Sequence, residues 1–282
     1  MNGAIWGVFS ALLLGTADFM ASSSTQHLGA RSAFGAVLLT GTIILGLAIW
    51  LTGQPLVWSP RGLIFATLHG AFVTAMSLLL YTALARGPIS VVVAIVISHP
   101  AIVLLVQVLW GSQISDMQWA AIMAVLLGSI MVTLSHSEEQ NNQKLERTTV
   151  LIAVATSLLY AGVVLSGQIG ASYLGHFQTI WVGRNASLII LCIFFIALRE
   201  QPAVSLAWVP YLIAQGAADS LGYFALIAGT QATFPEAAAV TASAFGIVTI
   251  LLARLLFKET INQKQYGAIA LSMFGILILA SA

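Results

Sequence analysis

Apolar runs of roughly 18 residues or more recur from one end of this chain to the other. Each is long enough to cross a hydrocarbon core of roughly 30 Å as a helix rising about 1.5 Å per residue. The runs read as helices over 3–23, 32–52, 62–85, 88–110, 116–135, 149–170, 178–198, 208–230, 235–257 and 264–281. Only 7% of the 282 residues are charged and 59% are apolar, against roughly 25% charged in soluble domains. A soluble fold of this size could not cover its surface with so few charges, so lipid must solvate much of it. Every backbone polar group inside lipid needs a partner. The runs are continuous and do not alternate with period two, as barrel strands would. The expected fold is therefore an all-α integral membrane protein of about ten transmembrane helices.

The connections are short and carry turn residues: Gly53-Gln54-Pro55, Arg86-Gly87-Pro88 and Phe234-Pro235. Pro88 and Pro235 suit a first helical turn, where a missing N–H costs nothing. The start, Met1-Asn2-Gly3-Ala4-Ile5-Trp6, has no basic segment and no clear small-residue cleavage site follows, so the first run reads as a retained helix. A net charge of +1 gives no basic field for nucleic acid, and the single cysteine, Cys192, has no partner for an internal disulfide or thiolate metal site. One stretch is plainly polar. Residues 136–148 hold Glu138, Glu139, Lys144, Glu146 and Arg147 near the middle of the chain, and read as a linker between halves 1–135 and 149–282.

The halves repeat. A shift of 147 residues places Pro88 on Pro235, Ile114 on Ile261, Gln118 on Gln265, Trp119 on Tyr266 and Gly128 on Gly275; a shift of 146 places Gly70 on Gly216 and Leu28-Gly29 on Leu174-Gly175. Agreement on nearly one offset points to duplication of a five-helix unit. Five is odd, so the second copy is expected to enter the membrane from the opposite side. Such inverted repeats meet at a central site in transporters and rock to open it to each side in turn.

The segment Tyr81-Thr82-Ala83-Leu84-Ala85-Arg86-Gly87-Pro88-Ile89-Ser90-Val91-Val92 resembles the helix 3–4 junction of EamA-type proteins of the drug/metabolite transporter superfamily. Phe257-Lys258-Glu259-Thr260-Ile261, with Gln265-Tyr266-Gly267 and Gly275, is similar to that family's helix 9–10 signature, and Gly15-Thr16-Ala17-Asp18-Phe19 to the end of its first helix. The resemblance spans essentially the whole chain. It implies ten helices in a 5+5 inverted fold that moves amino acids, nucleotides, drugs or other small metabolites. The first half departs from it, with Gly111-Ser112-Gln113 where the family often has Gly-Glu. Glu259 is thus not duplicated and reads as a scaffold group at a helix end.

Ionisable groups inside spans cost roughly 2.5–3.5 kcal/mol on insertion scales, and so mark candidate sites. Gln215, Asp219 and Tyr223 are spaced by four and share one helix face. They offer an amide, a carboxylate and an aromatic hydroxyl to a polar substrate, with Asp219 open to proton or cation coupling; the alternative is a carboxylate bonded to a neighbouring helix. Asp18 either contacts substrate or reaches the interface. His69 matches Gln215 under the repeat shift, so both are expected to face one cavity. His99 precedes Pro100 in mid-span, where proline removes a backbone bond and kinks the helix. Either histidine can equally be a neutral packing group. Tyr160 and Trp6 suit a cavity wall that stacks on a ring or an amine, or plain packing. Arg184 either binds a substrate carboxylate through its fork or snorkels to headgroups. Stripes of small residues, Ala120-Ala124-Gly128 and Gly3-Gly7, read as packing surfaces.

Arg31, Arg86, Lys144, Arg147, Arg199, Lys258 and Lys264 fall on loops of one side, and Arg61 on the other. The positive-inside rule puts the richer side in the cytoplasm and both termini outside; the family resemblance suggests termini inside. Both arguments leave the termini on one side. No Gly-rich phosphate loop, His-Glu-x-x-His or Gly-x-Ser-x-Gly motif occurs. The expected function is therefore a secondary transporter for a small polar metabolite, an amino acid or amine, in a bacterial inner membrane. No cofactor or nucleic acid is expected, and the protein would act as a monomer or homodimer. A sensor or channel without carrier activity is the competing reading, and a membrane-embedded enzyme the weaker one.

Overall fold

The computed structural model of the chain describes residues 3–53, 55–111, 113, 115–135, 146–203, 205–230, 232, 238, 241–242 and 244–281. Pro235, Ile114, Ser112 and most of the polar linker, 136–145, lie outside them. Among the described residues all regular structure is helical: α1 (Gly3–Leu28), α2 (Ala30–Thr52), α3 (Pro60–Arg86), α4 (Ile89–Val96), α5 (His99–Leu109), α6 (Asp116–Leu134), α7 (Arg147–Leu174), α8 (His176–Leu198), a 3-10 turn at Leu206–Trp208, α9 (Val209–Thr230), α10 (Phe245–Leu256) and α11 (Gln263–Ser281). Eight of the helical stretches, counting Ile89–Leu109 as one, are long and apolar enough to cross a membrane. The protein is an integral, multi-pass membrane protein, and its outer surface agrees. On α2, Leu39, Ile43, Leu47 and Trp50 all face outward, Trp50 at 74% exposure, while Phe34, Val37, Leu38 and Leu45 are buried. An apolar stripe on each face needs lipid on one of them.

The backbone repeats in detail. Gly29 and Gly175, 146 residues apart, both take φ near 78°, a left-handed value open to glycine without a Cβ clash. Each N–H bonds the carbonyl four residues back, Thr25 and Ala171, at 2.9 Å, and each carbonyl accepts from the residue four ahead, Ala33 and Thr179, at 3.1 Å. One residue thus turns α1 into α2, and another turns α7 into α8. The other positive-φ residues described also pair: Gly53 with Arg199, and Gly111 with Lys258. Ser115 and Gln118 form a reciprocal capping box at the start of α6. At α11, Asn262 and Gln265 do the same: the Gln265 N–H donates to Asn262 Oδ1 at 2.8 Å and the Asn262 N–H to Gln265 Oε1 at 3.0 Å.

Packing follows the same exchange. α1 lies on α9 as α7 lies on α3; α2 meets α9 as α8 meets α3; α2 meets α8, and α6 meets α11. Gly62 early in α3 abuts Leu174 at the end of α7, and Gly87 just past α3 abuts Thr149 at the start of α7, so these helices run antiparallel. The α6–α11 contact is close on both sides. A Cβ at Gly128 would lie 2.7 Å from the Ala268 carbonyl, and one at Gly275 would lie 2.7 Å from the Ala121 carbonyl. The expected stripe on α6 holds at Gly128 but, nearer the helix start, shifts by one position. Ala121, Val125 and Gly128 are buried, whereas Ala120 is exposed, because the face is set by the partner helix and not by spacing alone.

The expected helix 88–110 is broken, not merely kinked. Ile97 and Ser98 form a turn between α4 and α5. Proline at 100 has no N–H for the carbonyl of Val96, which in lipid cannot stay unpaired. His99 Nδ1–H donates to it at 3.1 Å and Ser157 Oγ–H at 3.3 Å. Ser98 Oγ donates to the Ile95 carbonyl at 2.7 Å and Ser129 Oγ to that of Ala94 at 2.9 Å. All residues of α4 are buried, so the broken span runs through the core. Its start is fixed from the other half: the Glu259 carboxylate accepts the Ser90 N–H at 3.2 Å and the Ser90 hydroxyl. Glu259 thereby caps α4, the scaffold role read from its place at a helix end.

Candidate functional site

Between the two halves lies a cavity of about 90 Å³. α1 gives it Leu14 and Asp18, α3 gives His69 and Tyr81, α7 gives Tyr160, α8 gives Arg184, α9 gives Asp219 and Tyr223, and α10 gives Phe245. Of the nine residues singled out in the sequence, six line it: Asp18, His69, Tyr160, Arg184, Asp219 and Tyr223; Trp6 does not, and packs edge-on against Phe224 with ring centres 6.5 Å apart.

Arg184 does not snorkel. Its side chain is 7% exposed and pairs through Nη2 with Oδ2 of Asp219 at 2.5 Å. Nη1 donates to Ser220 Oγ at 3.3 Å, and the Ser220 hydroxyl passes its own hydrogen to the Gly216 carbonyl at 2.8 Å. The guanidinium also lies 5.8 Å from the centre of the Tyr223 ring. Gly41 on α2 makes the space: a Cβ there would fall 1.7 Å from Arg184 Nη1. Such a pair deep in a low-dielectric site is held by its hydrogen bonds as much as by charge. Asp18, by contrast, makes no hydrogen bond or ion pair among the described residues, and its carboxylate faces the cavity beside that pair.

His69 is pinned. Its Nδ1–H donates to the Val163 carbonyl at 2.9 Å, and a Cβ at Gly167 or Gly183 would lie within 3 Å of its ring. Two candidates stand one layer back. His99 stacks flat on Tyr160, ring centres 3.9 Å apart, and serves the broken helix. Gln215 is fully buried and donates through Nε2 to the Tyr81 hydroxyl at 3.0 Å, and its Oε1 has no partner among the described residues. His69 and Gln215 thus occupy matched helix positions, but only the first reaches the cavity.

A profile of the EamA-like transporter family matches residues 1–134 and again 147–281. The chain belongs to the EamA-like transporter family. It carries two copies of the family's unit, and the family's members are transporters. No curated protein matches it significantly. A solved crystal structure superposes with a TM-score of 0.69 over 98% of this chain and 95% of that one, at 15% identity, which shows a shared fold.

In this EamA-like chain, sequence reasoning passed over four lining residues that matter to the cavity's chemistry. Tyr81 lies in the quoted junction motif, but only its distance from Gln215 in space reveals its hydroxyl as part of the polar set. Phe34 and Phe245 give aromatic walls, and Ser77 a hydroxyl. Aromatic residues in spans carry no signal separating wall from lipid face. Among the described residues no three His, Cys, Asp or Glu side chains converge as a metal site would require. What the cavity offers is two carboxylates, one guanidinium already engaged, and tyrosine hydroxyls and rings.

Proposed function

We propose that the protein is a secondary transporter that moves a small polar metabolite by alternating access, through ten spans arranged as two inverted five-helix repeats, in a bacterial inner membrane. The observation that carries this reading is a charged cavity walled by both halves of the chain, deep among apolar spans. A charged group there is costly unless it has a task. The exchange of packing partners between halves and the antiparallel run of α3 and α7 support the inverted arrangement.

Alternating access needs a closure at each end, and α2 and α8 supply two. At one end Arg31 pairs with Glu200, and the Ala203 N–H donates to Ser32 Oγ at 2.9 Å. At the other, Gln178 clasps the Val57 backbone: Oε1 accepts the N–H and Nε2 donates to the carbonyl, both at 2.8 Å. Ser32 and Gln178 are 146 residues apart, as are Val57 and Ala203. With α2 at 23 residues, the closures stand roughly 35 Å apart.

The test is counterflow of labelled amines and amino acids in liposomes, on a chain with Cys192 replaced by alanine. Saturable counterflow is expected. Cysteine pairs at 31 and 200, or at 57 and 178, should each stop it when oxidised and restore it when reduced. Flux that rises linearly with concentration would instead mark a channel, and flux that persists with both ends cross-linked would sink alternating access.

A further inference from the structure

We propose that the central cavity takes a compact, monovalent cationic amine, held through its ammonium by Asp18. The inference rests on the carrier reading for what happens after binding, but not for the binding itself.

Charge decides the class. Asp18, Asp219 and Arg184 are the acidic and guanidinium groups of the lining, and with all three ionised they leave one negative charge. That charge sits at Asp18, because Asp219 is taken by Arg184. A ligand carboxylate would have to enter at Arg184, the cationic fork of the site. To do so it must displace Asp219, leaving two unpaired carboxylates in one low-dielectric space, and it must also break the Ser220 hydrogen bond. An ammonium meets no such obstacle. It brings donors to a carboxylate that has no donor among the described residues. It also lies among the aromatic side chains of Phe34, Tyr81, Tyr160, Tyr223 and Phe245, a residue type whose rings attract a desolvated cation.

Size and valence follow. The 90 Å³ of the cavity is less than the roughly 150 Å³ that encloses a benzene ring, so the body is a short aliphatic chain. The position matched to Asp18 in the second half, 146 residues on, is Val164. The site therefore has no twin carboxylate for a second ammonium, which argues against a diamine.

The experiment is isothermal titration of the full chain in detergent with four probes of one carbon skeleton: n-butylamine, 2-aminobutyrate, butyrate and n-butanol. The amine is expected to bind at least about tenfold tighter than the others. Asp18→Asn should lose at least about tenfold for the amine alone, and Asp18→Glu should recover part of it. Asp219→Asn frees Arg184 and should gain 2-aminobutyrate while weakening n-butylamine. A merely structural role for Asp219 would weaken all probes alike. Melting curves show which variants are folded. Three binding results overturn the proposal: 2-aminobutyrate binding folded wild type as well as the amine, amine binding that survives Asp18→Asn, or folded wild type that binds none of the four. Counterflow of the bound probe, with leak into protein-free liposomes subtracted, separates the two readings. Amine binding without counterflow would keep the site and fail the carrier. Counterflow of 2-aminobutyrate but not of n-butylamine would keep the carrier and fail the site.

Discussion

The two halves are alike where the chain is held together and unlike where they line the central cavity. Gly29 and Gly175 turn with the same φ, the Ser115 and Asn262 caps use the same two bonds, and Gly128 and Gly275 each press on the other half's backbone. The cavity breaks this agreement at nearly every position. Asp18 is matched by Val164, Tyr81 by Ile227, Arg184 by Leu38, Asp219 by Val73, and Tyr160 by Leu14. A two-fold frame can be built twice from one plan, because backbone contacts impose the same steric demand on both copies. A site for one asymmetric solute cannot, since a mirrored charge would add desolvation cost without a partner.

The sharpest way to break the comparison is at its most asymmetric point. Asp219→Leu leaves the buried Arg184 guanidinium without its carboxylate, and should destabilise the protein by about 3–5 kcal/mol. The double variant Arg184→Met, Asp219→Leu should recover most of that stability, and with it the amine counterflow that Asp18 supports. Denaturant unfolding in detergent beside liposome counterflow reads both. If the double variant stays as unstable as the single one, the pair is part of the frame and not an addition to it.

The frame makes the opposite demand, that matched changes cost alike. Gly128→Ala and Gly275→Ala each put a Cβ 2.7 Å from a facing carbonyl. Each should cost about 1–3 kcal/mol, and the two costs should agree closely by thermal unfolding. One tolerated and one ruinous change would mean that the exchange of contacts does not extend to their energies.

This split also governs how much was legible in the sequence. Eight of the spans, the offset that pairs Gly29 with Gly175 and Gly128 with Gly275, and Glu259 as a helix-end group could be read, because apolar length and repeat offset are written in the sequence itself. The Arg184–Asp219 pair could not, because it depends on the space that Gly41 leaves on a third helix. His99 was read as a candidate ligand for its chemistry. Its partner is the Val96 carbonyl that Pro100 leaves open, and that partner exists only once the helix has broken rather than bent. Ala120 was read onto the packing face one residue out of register, since spacing fixes the period of a stripe and the neighbouring helix fixes its phase.

The smallest effect lies at the two end contacts proposed as closures, where the halves agree in position and differ in chemistry. Arg31–Glu200 is an ion pair with both side chains more than a third exposed, at 38% and 47%, while Val57–Gln178 is a pair of neutral hydrogen bonds. Exposed ion pairs contribute roughly 0–1 kcal/mol and are screened by salt. Arg31→Ala should therefore change the transport rate by no more than about fivefold, and the change should fade as salt is raised. Gln178→Ala should act to a similar extent but hold its effect at high salt. The two variants should favour opposite openings, visible as opposite shifts in labelling of cysteines introduced at the two ends. The same salt dependence for both would mean that the ion pair is incidental, and that Ser32 and Gln178, the matched residues, hold the two ends by backbone bonds alone.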